Sequence, residues 1–141
     1  MRILGLDYGD KTIGVAVSDP FGWTAQGVEI IRRENPTEYK KSMRRLAELV
    51  EEYTAETIVL GYPKNLDNSE GERCEKTKVF CERLKNRFPK VEIILWDERF
   101  RTIAAERSLR EAQLSHEKRK SVIDKMAAVH ILQGYLDSKN R

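Results

Sequence analysis

Acidic residues stand where apolar segments of this sequence end or begin, and that placement suggests chemistry. They are Asp7, Asp97, Glu98 and Asp124. A buried charge is costly unless it is paired or binds a metal ion. Parallel strands bring their carboxyl ends to one edge of a sheet, so we expect Asp7, after the first strand, and Glu98, after the last, to converge. Asp124 continues the packing face of a helix and can reach the same edge.

Three carboxylates from distant segments at one edge are typical of a site for Mg²⁺ or Mn²⁺, because these hard cations take oxygen ligands. A pair of such ions can stabilise both the attacking and the leaving oxygen of a phosphodiester. We therefore predict Asp7, Glu98 and Asp124 as catalytic residues and metal ligands. Asp97 is a further candidate ligand. Water is the expected nucleophile, and no covalent intermediate is required.

Each acid taken singly also has a simpler explanation. Asp7 can be a turn residue at a strand end, and Glu98 can pair with one of the arginines that follow it. Ser121 and Asp124 have the spacing of an S-x-x-D capping pair, which stabilises a helix start by about 1 kcal/mol. These alternatives stay open from the sequence.

Basic residues flank the acids. They are Lys11, Arg99, Arg101, Arg119 and Lys120. Positive charge beside a metal–carboxylate site suits the phosphate backbone of nucleic acid. Residues 99–141 hold 10 basic and 5 acidic residues, against 16 and 18 in residues 1–98, which also indicates a polyanionic partner. A solvated helical face is the alternative explanation of the charge.

The elements that must position these residues follow from hydrophobic periodicity and turn signals. Strands are predicted at 2–7, 13–18, 24–32, 57–61 and 91–96, and helices at 36–53, 69–88, 102–113 and 120–137. The order βββαβαβαα predicts an α/β domain over residues 1–141, with a five-stranded mixed sheet and helices on both faces. Strands that follow a helical crossover should lie parallel to a neighbour.

Composition narrows the class of protein. The chain is 40% hydrophobic and 35% charged, which is typical of a soluble globular domain. No apolar run approaches the roughly 18 residues that a membrane span needs, and acids interrupt any signal-peptide core. Cys74 and Cys81 have neither metal-clip spacing nor a disulfide framework. We expect reduced thiols on one helix face, a cytoplasmic protein and no membrane partner.

Four segments in this order resemble the successive motifs of one family. They are DYGDKTIGVAVSD (7–19), GYPKNLDNSEG (61–71), DERFRT (97–102) and IDKMAAVHILQGYL (123–136). The chain is similar along essentially its whole length to the YqgF family, also called RuvX-like. The resemblance implies a ribonuclease H-like fold and places the family's acids at Asp7, Glu98 and Asp124, with Asp97 beside them.

The resemblance implies a metal-dependent endonuclease that matures the 5′ end of pre-16S ribosomal RNA, with Holliday-junction resolution as the alternative. Hydrolysis of structured RNA and of branched DNA needs the same site chemistry, so the site does not indicate which of them is the substrate. Two other classes remain: a non-catalytic nucleic-acid-binding protein, and ATP-driven phosphoryl transfer, because DYGDKT also resembles the phosphate loop of actin-like kinases. The chain is short for the second lobe that those kinases need. We expect a monomer or homodimer.

Overall fold

The computed structural model describes residues 2–35, 38–63, 70–97 and 116–140, with side chains in the last range from residue 126 onward. The strands are β1 (Arg2–Tyr8), β2 (Thr12–Ser18), β3 (Ala25–Arg32), β4 (Ala55–Tyr62) and β5 (Glu92–Asp97). The helices are α1 (Lys40–Glu52), α2 (Glu72–Arg87) and α3 (His116–Lys139). The predicted α/β class and its five-stranded sheet are confirmed. The helix predicted at 102–113 lies outside the described residues.

The five strands form one mixed sheet in the order β3-β2-β1-β4-β5. Short turns join the first three strands, so β1–β2 and β2–β3 are antiparallel. Helical crossovers lead into β4 and β5, so β1–β4 and β4–β5 are parallel. The carboxyl ends of β1, β4 and β5 therefore lie at the same edge, with β4 between the other two.

The main core lies between one face of the sheet and the helices α1 and α2. Leu46 and Leu49 of α1 and Phe80 and Leu84 of α2 are fully buried there. The predicted apolar stripe of α1 supplies the first two of these residues. Burying a leucine or phenylalanine side chain contributes about 1.5–3 kcal/mol, so this face holds both crossover helices against the sheet.

Helix α3 alone, among the described helices, covers the opposite face. Ala128, Ile131, Leu132 and Leu136 pack there against small residues of the sheet. The last turns of α3 line a cavity of about 200 Å³ together with Arg2 and Ile3 at the start of β1. Helix α3 therefore runs antiparallel to β1, and its earlier turns lie toward the end of β1.

The helices begin at other residues than the sequence predicts. Helix α1 begins at Lys40, whereas the sequence predicts a start at Pro36, which lies outside the described residues. Helix α2 begins after Gly71, its N-cap, without a side-chain cap. The predicted capping residue Ser69 lies outside the described residues.

The start of α3 corrects an interpretation of Asp124. The helix begins at His116, whereas the sequence predicts a start near residue 120 and a loop at His116. Ser121 and Asp124 therefore lie inside the helix, beyond its first turn, where a capping pair has no free N–H groups to bind. The capping explanation of Asp124 is wrong.

The expectation of free thiols on one helix is confirmed. Cys74 and Cys81 are free, buried thiols of α2. Trp96 packs on α3, with its ring 5.8 Å from that of Tyr135 in an edge-to-face contact, and Trp23 is 61% exposed. Among the described residues, no helix combines the length and apolar character that crossing a membrane requires.

Candidate active site

Asp7 lies in a row of the sheet whose neighbouring positions are glycines. Its backbone pairs with Gly14 of β2. On the other side Leu6 pairs with Leu60, so the next residue of β4, Gly61, comes beside Asp7. Directly opposed residues of neighbouring strands point to the same face. The half-buried Asp7 therefore has glycines at the directly opposed positions of both flanking strands.

Helix α3 crosses the same face close to Asp7. A Cβ atom on Gly5 would come within 3.1 Å of the Ala128 carbonyl oxygen, so the helix lies almost on the backbone of β1. From Gly5 to Asp7 the strand advances about 6.6 Å, and from Ala128 back to Asp124 the helix advances about 6 Å. The structure therefore brings position 124 of α3 to the same face and edge of the sheet as Asp7.

Asp97 lies on the other face. It pairs with Tyr62, and Leu95 pairs with Leu60, which belongs to the core beneath α1 and α2. Because side chains alternate along a strand, Leu95 and Asp97 share that face, whereas Asp7 shares the face of α3. The pleat of the sheet therefore separates Asp97 from Asp7.

The remaining predicted residues are placed only in part. Glu98, Arg99 and Arg101 lie outside the described residues. Arg119 and Lys120 lie in the first turns of α3, ahead of position 124, and their side chains are outside the described part. Lys11 is exposed in the turn between β1 and β2. Three of the predicted basic positions thus lie at the Asp7 end of the sheet.

The turn that follows Asp7 is held from inside by a buried arginine. Arg33, just after β3, is 6% exposed. Its guanidinium donates to the Tyr8 hydroxyl at 3.1 Å, to the Gly9 carbonyl, and to the Asp10 carbonyl at 2.8 Å. The turn is therefore fixed to the end of β3.

Helix α2 holds the same turn from outside. The Asp10 carboxylate accepts hydrogen bonds from Lys76 at 3.1 Å and Arg73 at 3.2 Å. The bond from Lys76, together with the charges of both cations, holds the pKa of Asp10 below its usual range. These groups are about half exposed, so salt screens them and their contribution to stability is small.

The segment after β4 is anchored to α2 at its described ends. The Tyr62 hydroxyl donates to Glu70, and the Lys78 ammonium lies 3.3 Å from the same carboxylate. Burial, followed by the bond to Glu70, raises the pKa of Tyr62 to about 12. The sequence predicts a mobile loop at 62–72 beside the cleft, and residues 64–69 of that loop lie outside the described residues.

Arg33 is the residue that the sequence analysis missed. The strand pattern contained an indication of its burial. Ile31 faces the core, and Arg33, two residues later, continues the same face. An arginine at an inward position of a strand pattern needs buried acceptors. The carbonyl groups of residues 9 and 10 supply them, and only tertiary structure shows which carbonyls these are.

The donor set fits a hard divalent cation in its chemistry. Carboxylate oxygens are the ligands that Mg²⁺ and Mn²⁺ prefer, and Asp7 presents one carboxylate at the sheet edge. Within the described ranges, no three His, Cys, Asp or Glu side chains gather into a metal-binding group. Glu98 and the Asp124 side chain, the other two predicted ligands, lie outside those ranges.

A mixed sheet in this strand order, with two of the described helices on one face, the third on the other and an acid at the end of the central strand, is typical of the ribonuclease H class of fold. Two solved structures share it. One is T. thermophilus RuvC in complex with Holliday junction substrate, with TM-score 0.61 and 13% identity over 99% of this chain and 96% of that one. The other is the fowlpox virus Holliday junction resolvase, with TM-score 0.54 and 17% identity over 99% of both chains.

The chain belongs to the RuvX family. The family model, described as Holliday junction resolvase, matches residues 1–138. A relative from Agathobacter rectalis is 56% identical over 97% of this chain and 95% of its own length. A relative from Bacillus subtilis is 54% identical over 99% of this chain and 100% of its own. Both carry the name "Putative pre-16S rRNA nuclease".

Proposed function

We propose that this protein is a divalent-metal-dependent endonuclease that processes the 5′ end of pre-16S ribosomal RNA in the cytoplasm. The observation that carries the proposal is the name shared by relatives more than half identical over nearly their whole length. The position of Asp7 supports it, because the carboxylate lies at the carboxyl edge of the sheet beside glycines of both flanking strands.

Each part of the site has a proposed role. Asp7, Glu98 and Asp124 would hold a Mg²⁺ or Mn²⁺ ion, which would supply Lewis-acid stabilisation of charge on the phosphodiester. Lys11, Arg99, Arg101, Arg119 and Lys120 would bind the RNA backbone. The glycines beside Asp7 leave space on the α3 face for the scissile phosphate. Asp97, on the opposite face, is the weakest candidate ligand of the four acids.

The test measures cleavage of a pre-16S rRNA fragment containing the 5′ junction, with Mn²⁺ or Mg²⁺, by wild type and four variants. Loss of a residue that only supports a metal ligand typically lowers activity by about 10–100-fold. Asp7→Asn, Glu98→Gln and Asp124→Asn should each lower the cleavage rate by more than that. Asp97→Asn should lower it less. Asp137→Asn is the matched control, since Asp137 is an exposed acid at the far end of α3.

Two outcomes would contradict the proposal. Cleavage by Asp7→Asn at the rate of the Asp137→Asn control would remove Asp7 from the site. Tight binding of the fragment by wild type without cleavage in either metal would instead indicate a non-catalytic RNA-binding protein.

Holliday-junction resolution is the second candidate function, because the family model that matches residues 1–138 is described by that activity. It requires two symmetric nicks in a four-way DNA junction, and hence two active sites. A four-way junction in the same assay separates the candidates. Paired nicks in the junction with intact RNA would favour the resolvase.

A further inference from the structure

We infer that Arg33 is a positioning residue for the candidate catalytic carboxylate of Asp7, because it fixes the whole turn that follows β1. The inference deepens the proposed nuclease function and rests on it for its catalytic consequence. Its structural part, the rigidity of the turn, stands on the contacts of Arg33 alone.

Arg33 bonds to four consecutive residues of the chain. Its guanidinium donates to the Tyr8 hydroxyl and to the carbonyls of Gly9 and Asp10. Its backbone N–H donates to the carbonyl of Lys11 at 2.7 Å. One residue just after β3 therefore binds every residue between Asp7 and the start of β2 at Thr12.

The shape of the guanidinium is what makes this arrangement possible. Its planar fork presents several donors in fixed directions, and its Cζ atom lies 4.7 Å from the centroid of the Tyr8 ring. The Tyr8 ring in turn stacks on Phe80 of α2 at 4.2 Å. A lysine ammonium carries its donors on one atom and cannot reach the hydroxyl and both carbonyls in the same directions.

Asp7 is followed directly by this turn, since β1 ends at Tyr8. Functional groups must be held within about 0.5 Å of their productive positions by the structure around them. Arg33 fixes the backbone just after Asp7. Loss of Arg33 should therefore increase the mobility of the Asp7 carboxylate, although the carboxylate itself is still present.

A buried arginine also stabilises the fold, and the test must separate the two effects. Arg33→Lys keeps the charge, and Arg33→Met keeps much of the apolar stem. Arg32→Met is the matched control, because Arg32 is the neighbouring arginine and is exposed. All variants are compared below their melting temperatures, with circular dichroism used to select the folded ones.

Two readouts are measured on the folded variants. The first is hydrogen exchange at the Gly9 amide, which donates to the Thr12 carbonyl at 2.7 Å and should exchange about tenfold faster or more in Arg33→Lys. The second is cleavage of the pre-16S rRNA fragment with Mn²⁺. Here kcat should fall about 10–100-fold while KM for RNA stays nearly constant, and Arg32→Met should change neither readout.

The outcomes distinguish this inference from the proposed function. Unchanged exchange at Gly9 in a folded Arg33→Lys variant overturns the inference, whether or not the wild type is a nuclease. Faster exchange with unchanged kcat overturns the catalytic part. A wild type that cleaves no nucleic acid refutes the proposed function, while the exchange measurement still decides whether Arg33 fixes the turn.

Discussion

The Asp19 carboxylate organises the turn between β2 and β3 at the edge of the sheet opposite to Asp7. Its Oδ1 atom accepts the N–H groups of Phe21 and Trp23, and its Oδ2 atom accepts both the N–H and the hydroxyl of Thr24. These bonds, the Thr24 hydroxyl first among them, lower the pKa of Asp19 to about 2. Asp19 thus binds the backbone on both sides of the turn's exposed aromatic residues, and Gln133 and Asn140 bind the carbonyls of Trp23 and Gly22.

This lowered pKa predicts a pH dependence of stability. An unfolded aspartate has a pKa of about 3.9, so the contribution of Asp19 is fully present above that pH. It is lost as the pH falls toward about 2, the pKa in the folded protein. Asp19→Asn should therefore be less stable than wild type at pH 6, and the difference should shrink between pH 5 and pH 2.

Urea unfolding of both proteins across this pH range measures the difference in the free energy of unfolding. Both proteins share every other titrating group, so the difference isolates Asp19. A difference that stays constant from pH 5 to pH 2 would show that the carboxylate is not specifically stabilised in the folded turn.

At the scale of elements, the close contact between β1 and α3 sets the geometry of the candidate site. The contact depends on Gly5, because a Cβ atom there would lie 2.6 Å from Cβ of Leu132. Non-bonded carbon atoms do not pack so closely, so a larger residue must push the helix away from the sheet. The displacement would also carry position 124 away from Asp7.

We predict that Gly5→Ala costs about 1–3 kcal/mol of stability, the usual cost of overpacking a core. Trp96 packs on α3 and can report the displacement, and in a Trp23→Phe background it is the only tryptophan, since the chain has two. Its native fluorescence should change in Gly5→Ala.

Gly22→Ala is the control for this experiment. Gly22 has a φ of 75° and nothing within 4 Å of the added Cβ atom, so its substitution strains the backbone without moving α3. Unchanged Trp96 emission and stability in Gly5→Ala would contradict the close packing of the helix on β1.

At the scale of the whole molecule, the charge distribution predicts how the protein binds nucleic acid. The positive excess lies in residues 99–141, and α3 places Arg119 and Lys120 ahead of position 124, toward the Asp7 end of the sheet. Contacts to the phosphate backbone release counterions, so affinity should fall with salt and depend little on base sequence.

We predict that Arg119→Ala with Lys120→Ala weakens RNA binding and lowers the slope of log affinity against log salt by about 1.4–1.8. The measurement is a salt series without divalent metal. Lys40→Ala with Lys41→Ala is the matched control, since this exposed pair begins α1 on the other face of the sheet. Equal slopes in both double variants would exclude α3 as part of the binding surface.

Much of the fold followed from local pattern. Alternating apolar residues and a short turn specified the antiparallel hairpin of β1 and β2, and the crossover helices required parallel strands later in the chain. The pairing of β3 with β2 did not follow from the pattern. The carboxyl-edge position of Asp7 follows from the same rules, because a residue that ends a parallel strand must lie at that edge. These features depend on residues close together in the sequence, which is why the chain alone revealed them.

Tertiary structure decided which residues share the site. The register of β4 against β1 and β5 put Gly61 beside Asp7 and turned Asp97 to the opposite face. The start of α3 at His116 placed Asp124 inside the helix and excluded a capping role. Arg33 found its acceptors in a turn more than twenty residues away in sequence. Strand register and buried polar pairing are set by the packing of distant segments, and a one-residue shift reverses every side chain of a strand.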